Sequence, residues 1–374
     1  MSTLSAVIVS TETAIERREL LGLPVAVRAI FSALDAGYET IEVLGNGAQE
    51  LIELAARSGI TTFTPPQIPR QGDYLIVRAD ALIASTLLTS LEPGDAICSE
   101  DGTRVAGRIC LAPGDDPLGV LQNARPKPWT RDRYRFAIHL SDERAYNAAE
   151  RLLLASMVKP SDGPVSRHFN RRISLTLTRL LVRLGVTPNQ VTVIVALLGL
   201  AAAWLATYPT WLYQLAGAAF FQLHSIIDGC DGEIARLTRR FGKYGSFIDS
   251  AVDDLSNVGF FVALSIGVAR ALDVSWPLVT AGVTVFGYAG TAAIQYWFVN
   301  RATGRGDKTR FWESEQRALS RLTGVLNSLL RRDVFVALIL FAVTVGLGPI
   351  AVAVFPLAAV GALAASILQV KRGR

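Results

Sequence analysis

Asp228, Asp231, Asp249 and Asp253 are the residues of this sequence best placed to do chemistry. They form two pairs, Asp228-Gly229-Cys230-Asp231 and Asp249-Ser250-Ala251-Val252-Asp253, with uncharged apolar runs on both outer sides. Spacings of three and four put each pair on one face of a helix. Acids beside hydrocarbon are costly and mark function by default. Two such faces turned together gather four like charges around one point, which requires cations. Hard divalent ions with oxygen ligands, Mg²⁺ or Mn²⁺, are the natural partners. Arg236, about a turn beyond Asp231, can pair with phosphate. Gly232, Ala235 and Gly245 remove side-chain bulk along the same faces, so a bulky ligand can approach the backbone. Metal, arginine and clearance together suggest a nucleotide-like, phosphate-containing substrate. A carboxylate not fully used by metal can take a proton from an attacking hydroxyl. An ion or proton path is the rival reading of acids in a membrane, and it needs none of the glycine, alanine and arginine at these offsets. A catalytically dead membrane scaffold is a third reading, opposed by the intact set.

The elements that must position these residues are long apolar helices. The uncharged runs are Val191–Thr207, Trp211–Ile227, the apolar part of Gly245–Ala269, Val274–Asn300, and Val334–Val370, which Gly346-Leu347-Gly348-Pro349 breaks in two. That predicts six spans of roughly membrane-crossing length. Thr187 reads as an N-cap with Pro188 at the first helical position. The loop Arg236–Tyr244 is basic, 301–332 carries eight basic residues against three acidic ones, and the tail adds Lys371, Arg372 and Arg374. The opposite loops carry almost none. The positive-inside rule therefore puts both termini and the acid cluster at the cytoplasmic face of the cell inner membrane. Before the first span, Phe169, Ile173, Leu177, Leu180, Leu181 and Leu184 share one side of a helix, with Arg171, Arg172, Arg179 and Arg183 over the rest. Such a helix lies in the membrane interface. Arg171, Arg331 and Arg332 can contact an anionic acceptor or lipid phosphate. Trp211, Trp276 and Trp297 read as interface anchors.

Residues 1–150 have the charge mixture of a soluble domain. Ser5–Val9, Thr40–Leu44, Tyr74–Arg78, Ala96–Ser99 and Val105–Leu111 read as strands. Leu23–Ala36, Ala48–Ser58 and Ala79–Leu91 read as helices. Alternation of the two predicts an α/β domain with a largely parallel sheet. The chain divides as 1–150, a linker with the interfacial helix at 151–188, and a membrane domain at 189–374. Over 374 residues it is 51% hydrophobic and 18% charged, too apolar for an ordinary soluble enzyme. A net charge of +5 makes nucleic acid a poor partner. Cys98, Cys110 and Cys230 show no disulfide or metal spacing. The apolar run at the N-terminus is too short for a signal peptide.

The pattern D-x2-D-G-x2-A-R-x8-G-x3-D-x3-D, met here by Asp228, Asp231, Gly232, Ala235, Arg236, Gly245, Asp249 and Asp253, resembles the signature of the CDP-alcohol phosphotransferases. The resemblance covers roughly 165–370. It implies a six-helix membrane enzyme, a homodimer among membrane lipids, holding two Mg²⁺ or Mn²⁺ ions. It would transfer a substituted phosphate from a CDP-alcohol donor to an alcohol or polyol-phosphate acceptor, releasing CMP. It gives metal binding to Asp228, Asp231, Asp249 and Asp253, with Asp253 also the general base. It gives nucleotide contacts to Gly232, Ala235, Arg236 and Gly245. The donor it suggests is CDP-diacylglycerol, in phospholipid synthesis; CDP-inositol giving a soluble phosphodiester is the alternative. Lys159-Pro160-Ser161-Asp162-Gly163 and Asn170-Arg171-Arg172-Ile173-Ser174 look like a narrower branch, in which a cytidylyltransferase-like domain precedes the membrane domain, as in the di-myo-inositol phosphate phosphate synthases. In this chain the loop after the first strand, Ser10 to Arg18, has no glycine and two glutamates, so it is poorly made to wrap a triphosphate. The N-terminal domain is expected to be a degenerate, inactive nucleotidyltransferase relative, with Asp80 a plain surface residue rather than a leftover metal ligand.

Overall fold

The computed structural model describes residues 5–303 and 332–372, apart from 12, 62, 64–71, 161 and 242–244. It divides into two units, Met1–Met157 with Leu237–Arg239, and Val158–Arg236 with Arg240–Arg374.

The first unit is α/β. Its strands are β1 (Ser5–Val9), β2 (Glu19–Leu20), β3 (Leu23–Pro24), β4 (Thr40–Leu44), β5 (Gly72–Arg78), β6 (Ala81–Ile83), β7 (Asp95–Cys98), β8 (Arg104–Leu111), β9 (Arg125–Pro126) and β10 (Ala137–His139). Its helices are α1 (Ala14–Arg17), α2 (Val25–Asp35), α3 (Ala48–Arg57), α4 (Ser85–Leu88), α5 (Pro117–Asn123) and α6 (Glu143–Ser156). The main sheet runs β4-β1-β5-β8-β7-β9. Only part of it is parallel: β1 pairs parallel with β4 and β5, but β8 pairs antiparallel with β5 and β7. The short turn between β7 and β8 leaves no room for the crossover that a parallel pair needs. Ala6–Val9 and Leu75–Val77 are continuous buried runs because cores lie on both faces of the sheet. Ala79–Leu91 is not one helix. Ala81, Leu82 and Ile83 are all buried and pair antiparallel with β10 before α4 begins.

The second unit is helical. A π-helical turn at Ser166–Asn170 leads into α7 (Arg171–Arg183). Then come α8 (Pro188–Ala206), α9 (Trp211–Thr238), α10 (Gly245–Leu272), α11 (Trp276–Thr303), α12 (Arg332–Thr344) and α13 (Gly348–Arg372). Thr187 caps α8 ahead of Pro188, and its N–H donates to Gln190 Oε1 at 2.8 Å. Gly346, at φ +79°, ends α12. The Leu347 and Gly346 amides return to Ala342 O and Val343 O at 2.7 and 3.1 Å, the Schellman arrangement that only a left-handed residue permits cheaply.

Among the described residues, three helices are long and apolar enough to cross a membrane, Pro188–Ala206, Phe247–Leu272 and Trp276–Ile294. Several of their large side chains point outward; Leu200, Leu255 and Phe286 are 66%, 73% and 74% exposed. Small residues line the contacts instead. A Cβ on Gly267 would stand 2.1 Å from Ala206 O, and one on Gly217 2.9 Å from Ala202 O, so two glycines let α9 and α10 close onto α8. Phe221 and Phe260 stack at 4.1 Å between α9 and α10. They lie seven residues before Asp228 and seven after Asp253, so the stack closes the same two faces two turns deeper.

Candidate active site

The faces of α9 and α10 that carry the four aspartates are turned together. Asp228, Asp249 and Asp253 each offer a carboxylate oxygen within 4.8 Å of the other two. Opposite ligands of a magnesium ion at about 2.1 Å would stand ~4.2 Å apart, so the donor set is of the right size and all oxygen. Asp253 Oδ1 is buried and has no hydrogen-bond partner among the described residues, as a ligand oxygen awaiting a cation would be. Asp231 lies beside Asp249 and accepts from Thr192 Oγ1 of α8 at 2.9 Å.

Arg332, at the start of α12, enters this cluster. Its guanidinium pairs with Asp253, stands 3.1 Å from Asp228 Oδ2, and lies 3.3 Å from His224 Nδ1. His224 is fully buried one turn before Asp228, with its other ring nitrogen unbonded among the described residues. The expected nucleotide residues flank the acids. A Cβ on Gly232 would meet only Arg236 Nη1, at 3.4 Å, and one on Gly245 would meet nothing within 4 Å. Ala235 follows on the same helix. Asp254 points away from the cluster and accepts from Tyr288 Oη at 2.9 Å. Arg331 lies outside the described residues.

Arg171 is not an exposed interface residue. It clasps Asp162 through Nε and Nη2 at 2.9 and 3.0 Å and pairs with Glu233 through Nη1. Burial works against the Asp162 carboxyl, but the Arg171 guanidinium outweighs it and holds the group below the usual carboxylate range. Glu233 is fully buried and also accepts from Ser174 Oγ and Thr178 Oγ1 at 2.8 and 2.6 Å. So α7 and the residues flanking it bury Asn170, Ser174, Thr178 and Val182 and expose Phe169, Ile173, Leu180 and Leu184.

Residues 185–370 match the family described as CDP-alcohol phosphatidyltransferase. The chain carries a CDP-alcohol phosphatidyltransferase domain. It is 48% identical over 117 residues to the bifunctional IPC transferase and DIPP synthase of Thermococcus kodakarensis, covering 31% of this chain and 26% of that one. The protein of the same name from Archaeoglobus fulgidus is 35% identical over 167 residues, 44% of this chain and 30% of that one. The archaetidylinositol phosphate synthase of Pyrococcus horikoshii is 33% identical over 99 residues, 26% of this chain and 50% of that one. The alignments thus span about half or less of these relatives. The matched region is thus of the CDP-alcohol phosphatidyltransferase type, and the relatives it aligns with carry transferase or synthase names.

Within the phosphatidyltransferase domain, Thr192 and Glu233 had no assigned role in the sequence reading. Glu233 falls at a variable position of the acid motif, and its partners lie 55 to 62 residues away. In the α/β unit, Asp80 is not a surface residue; it is 2% exposed. It takes Arg78 Nε and Nη2 at 2.9 and 2.7 Å, Thr11 Oγ1 at 3.0 Å, and His139 Nε2 at 3.3 Å. Burial pushes its carboxyl up, and Arg78, His139 and Thr11 together outweigh that and hold it low. Glu16, also buried, folds back beyond β1 and accepts from Ser10 Oγ at 2.8 Å and from Thr11 N and Oγ1 at 2.6 Å each.

Proposed function

We infer that the chain is a multi-pass membrane enzyme that moves a substituted phosphate from CDP-diacylglycerol to a hydroxyl of an inositol phosphate, releasing CMP. The observation that carries this reading is the close approach of three carboxylates from α9 and α10, with one Asp253 oxygen left unpaired, inside a phosphatidyltransferase domain. Asp228, Asp231, Asp249 and Asp253 would hold two Mg²⁺ or Mn²⁺ ions, which when bound neutralise charge on the diphosphate. Gly232 and Gly245 leave backbone open to the cytidine diphosphate, with Ala235 beside them, and Arg236 pairs with phosphate. Asp253 takes the proton of the acceptor hydroxyl. The hydroxyl oxygen forms a bond to the donor's phosphorus as the phosphorus–oxygen bond to CMP breaks. Arg332, with Arg331 beside it in sequence, receives the acceptor's phosphate. Arg171 is held by Asp162 and Glu233, which are not among the four aspartates, whereas Arg332 pairs with two of the four.

The outward apolar faces of α7 and α8–α13 support six crossings and an interfacial α7. The basic loops support a cytoplasmic active site in the inner membrane. A homodimer is part of the same reading. The α/β unit is a degenerate nucleotidyltransferase relative. Glu16 supports this, since an internal carboxylate takes the amide and hydroxyls that a bound phosphate would want.

The relatives named as DIPP synthases favour a second donor, CDP-inositol, with a water-soluble product. Purified full-length protein with Mg²⁺ and inositol phosphate should release CMP from CDP-diacylglycerol and place the new phosphodiester in the organic phase. Release from CDP-inositol alone, with an aqueous product, selects the second donor. No metal-dependent CMP from either donor refutes the inositol reading.

A further inference from the structure

Arg332 and Asp333 are neighbours in the first turn of α12, about 100° apart around the helix. They grip different elements. Arg332 reaches the carboxylates of α9 and α10. Asp333 reaches the turn that precedes α7: its Oδ2 accepts from Ser166 N at 2.8 Å. Its carboxylate also lies flat against buried Gly163, where a Cβ would stand 2.2 Å from both oxygens. No side chain fits there without displacing Asp333. The turn is itself anchored. Asp162, one residue earlier, accepts from Lys159 N at 2.9 Å and is clasped by Arg171, which passes on to Glu233 of α9. A Cβ on Gly229, next to Asp228, would stand 2.8 Å from Arg171 Nη1, so that path also needs a glycine.

We propose that Gly163, Ser166 and Asp333 form a latch that sets the rotation of α12 and so holds Arg332 at the acid cluster. The proposal rests on the reading of Arg332 as the acceptor-phosphate contact. A helix turns 100° and rises 1.5 Å per residue, so a small rotation at Asp333 swings the neighbouring guanidinium off Asp228 and Asp253. In the first turn Phe335 packs against Phe261 and Phe355, and Val336, Ile339 and Val343 are buried further along, so the latch adds the polar contact that fixes which way the Arg332 face turns. Asp333, Gly163 and Ser166 are positioning residues, acting on the cluster through Arg332.

The test is a double-mutant cycle on the full chain, with acceptor KM and kcat measured separately and Mn²⁺ affinity followed by electron paramagnetic resonance. Gly163→Ala and Asp333→Ala should each raise the acceptor KM about fivefold with kcat within about twofold, a coupling typical of residues in one contact network. Asp333→Asn keeps an acceptor oxygen for Ser166 and should restore most of the loss. In the Arg332→Ala background the same substitutions should change the KM less than about 1.5-fold. Equal effects with and without Arg332 would overturn the proposal, as would an unchanged KM in both Gly163→Ala and Asp333→Ala. The Mn²⁺ titration needs no turnover. Arg332→Ala and Asp333→Ala should each tighten Mn²⁺ binding by freeing Asp228 and Asp253, and the double variant should match Arg332→Ala alone. Absence of CMP release from any donor, with this Mn²⁺ pattern intact, removes the functional reading and leaves the latch. Additive Mn²⁺ shifts remove the latch.

Discussion

Burying a carboxylate oxygen with no partner costs at least about 1–3 kcal/mol, and Asp253 Oδ1 has none among the described residues. Among the described residues, Arg332 is the guanidinium that pairs with Asp228 and Asp253, and a cation with oxygen ligands would relieve the remaining repulsion among the acids. Asp249→Asn should therefore weaken Mn²⁺ binding at least about tenfold, or ~1.4 kcal/mol, and reduce CMP release at least about a hundredfold. Unchanged Mn²⁺ affinity would show that these oxygens do not hold the ion. The four aspartates were legible because spacings of three and four state a helix face directly. Their partners were not. Thr192 lies 39 residues from Asp231 and Arg332 lies 104 from Asp228. No local spacing encodes which helix arrives beside which.

At the scale of elements, α7 was read correctly as having a large apolar face and a polar one, but amphipathicity does not say which face is buried. In water the leucines would turn inward. Here a narrow stripe of Asn170, Ser174, Thr178 and Val182 is buried, and polar side chains of α9 bind it: Gln222 Nε2 donates to Asn170 Oδ1 at 3.1 Å. Glu233 is the centre of that contact. Removing one partner of a buried, hydrogen-bonded ion pair costs roughly 3–5 kcal/mol. Glu233→Ala should lower thermal stability by that order in detergent, while Glu233→Gln, which keeps an acceptor for Ser174 and Thr178, should cost clearly less. Equal losses would mean that the charge, not the hydrogen bonding, holds α7. The helices after α7 were readable because each contains a long apolar run with a glycine or proline near its boundary. Ala79–Leu91 was misread because three consecutive buried residues look alike in a strand and a helix.

Over the whole molecule, chemistry and composition divide together. The α/β unit has a core on each face of its sheet, and the helical unit has its own around Phe221, Phe260 and Phe261. The polar cluster at the ends of β1 and β5 is closed upon itself: Glu16 and Asp80 spend their oxygens on Ser10, Thr11, Arg78 and His139. Its contribution should be to stability. Because the Asp80 carboxyl sits below its ordinary value in the fold, the stability it supplies is fully present above about pH 4 and is lost as pH falls through the lower folded value. Asp80→Asn in the full chain should therefore be less stable than the native protein by on the order of 3 kcal/mol at pH 7. That gap should close progressively below about pH 4, read by thermal unfolding across the pH series. CMP release at neutral pH should be unchanged, since all four clustered aspartates belong to the other unit. A tenfold fall in CMP release without unfolding would place catalytic chemistry in the α/β unit. A stability gap that persists at low pH would show that Asp80 acts through packing rather than through its charge.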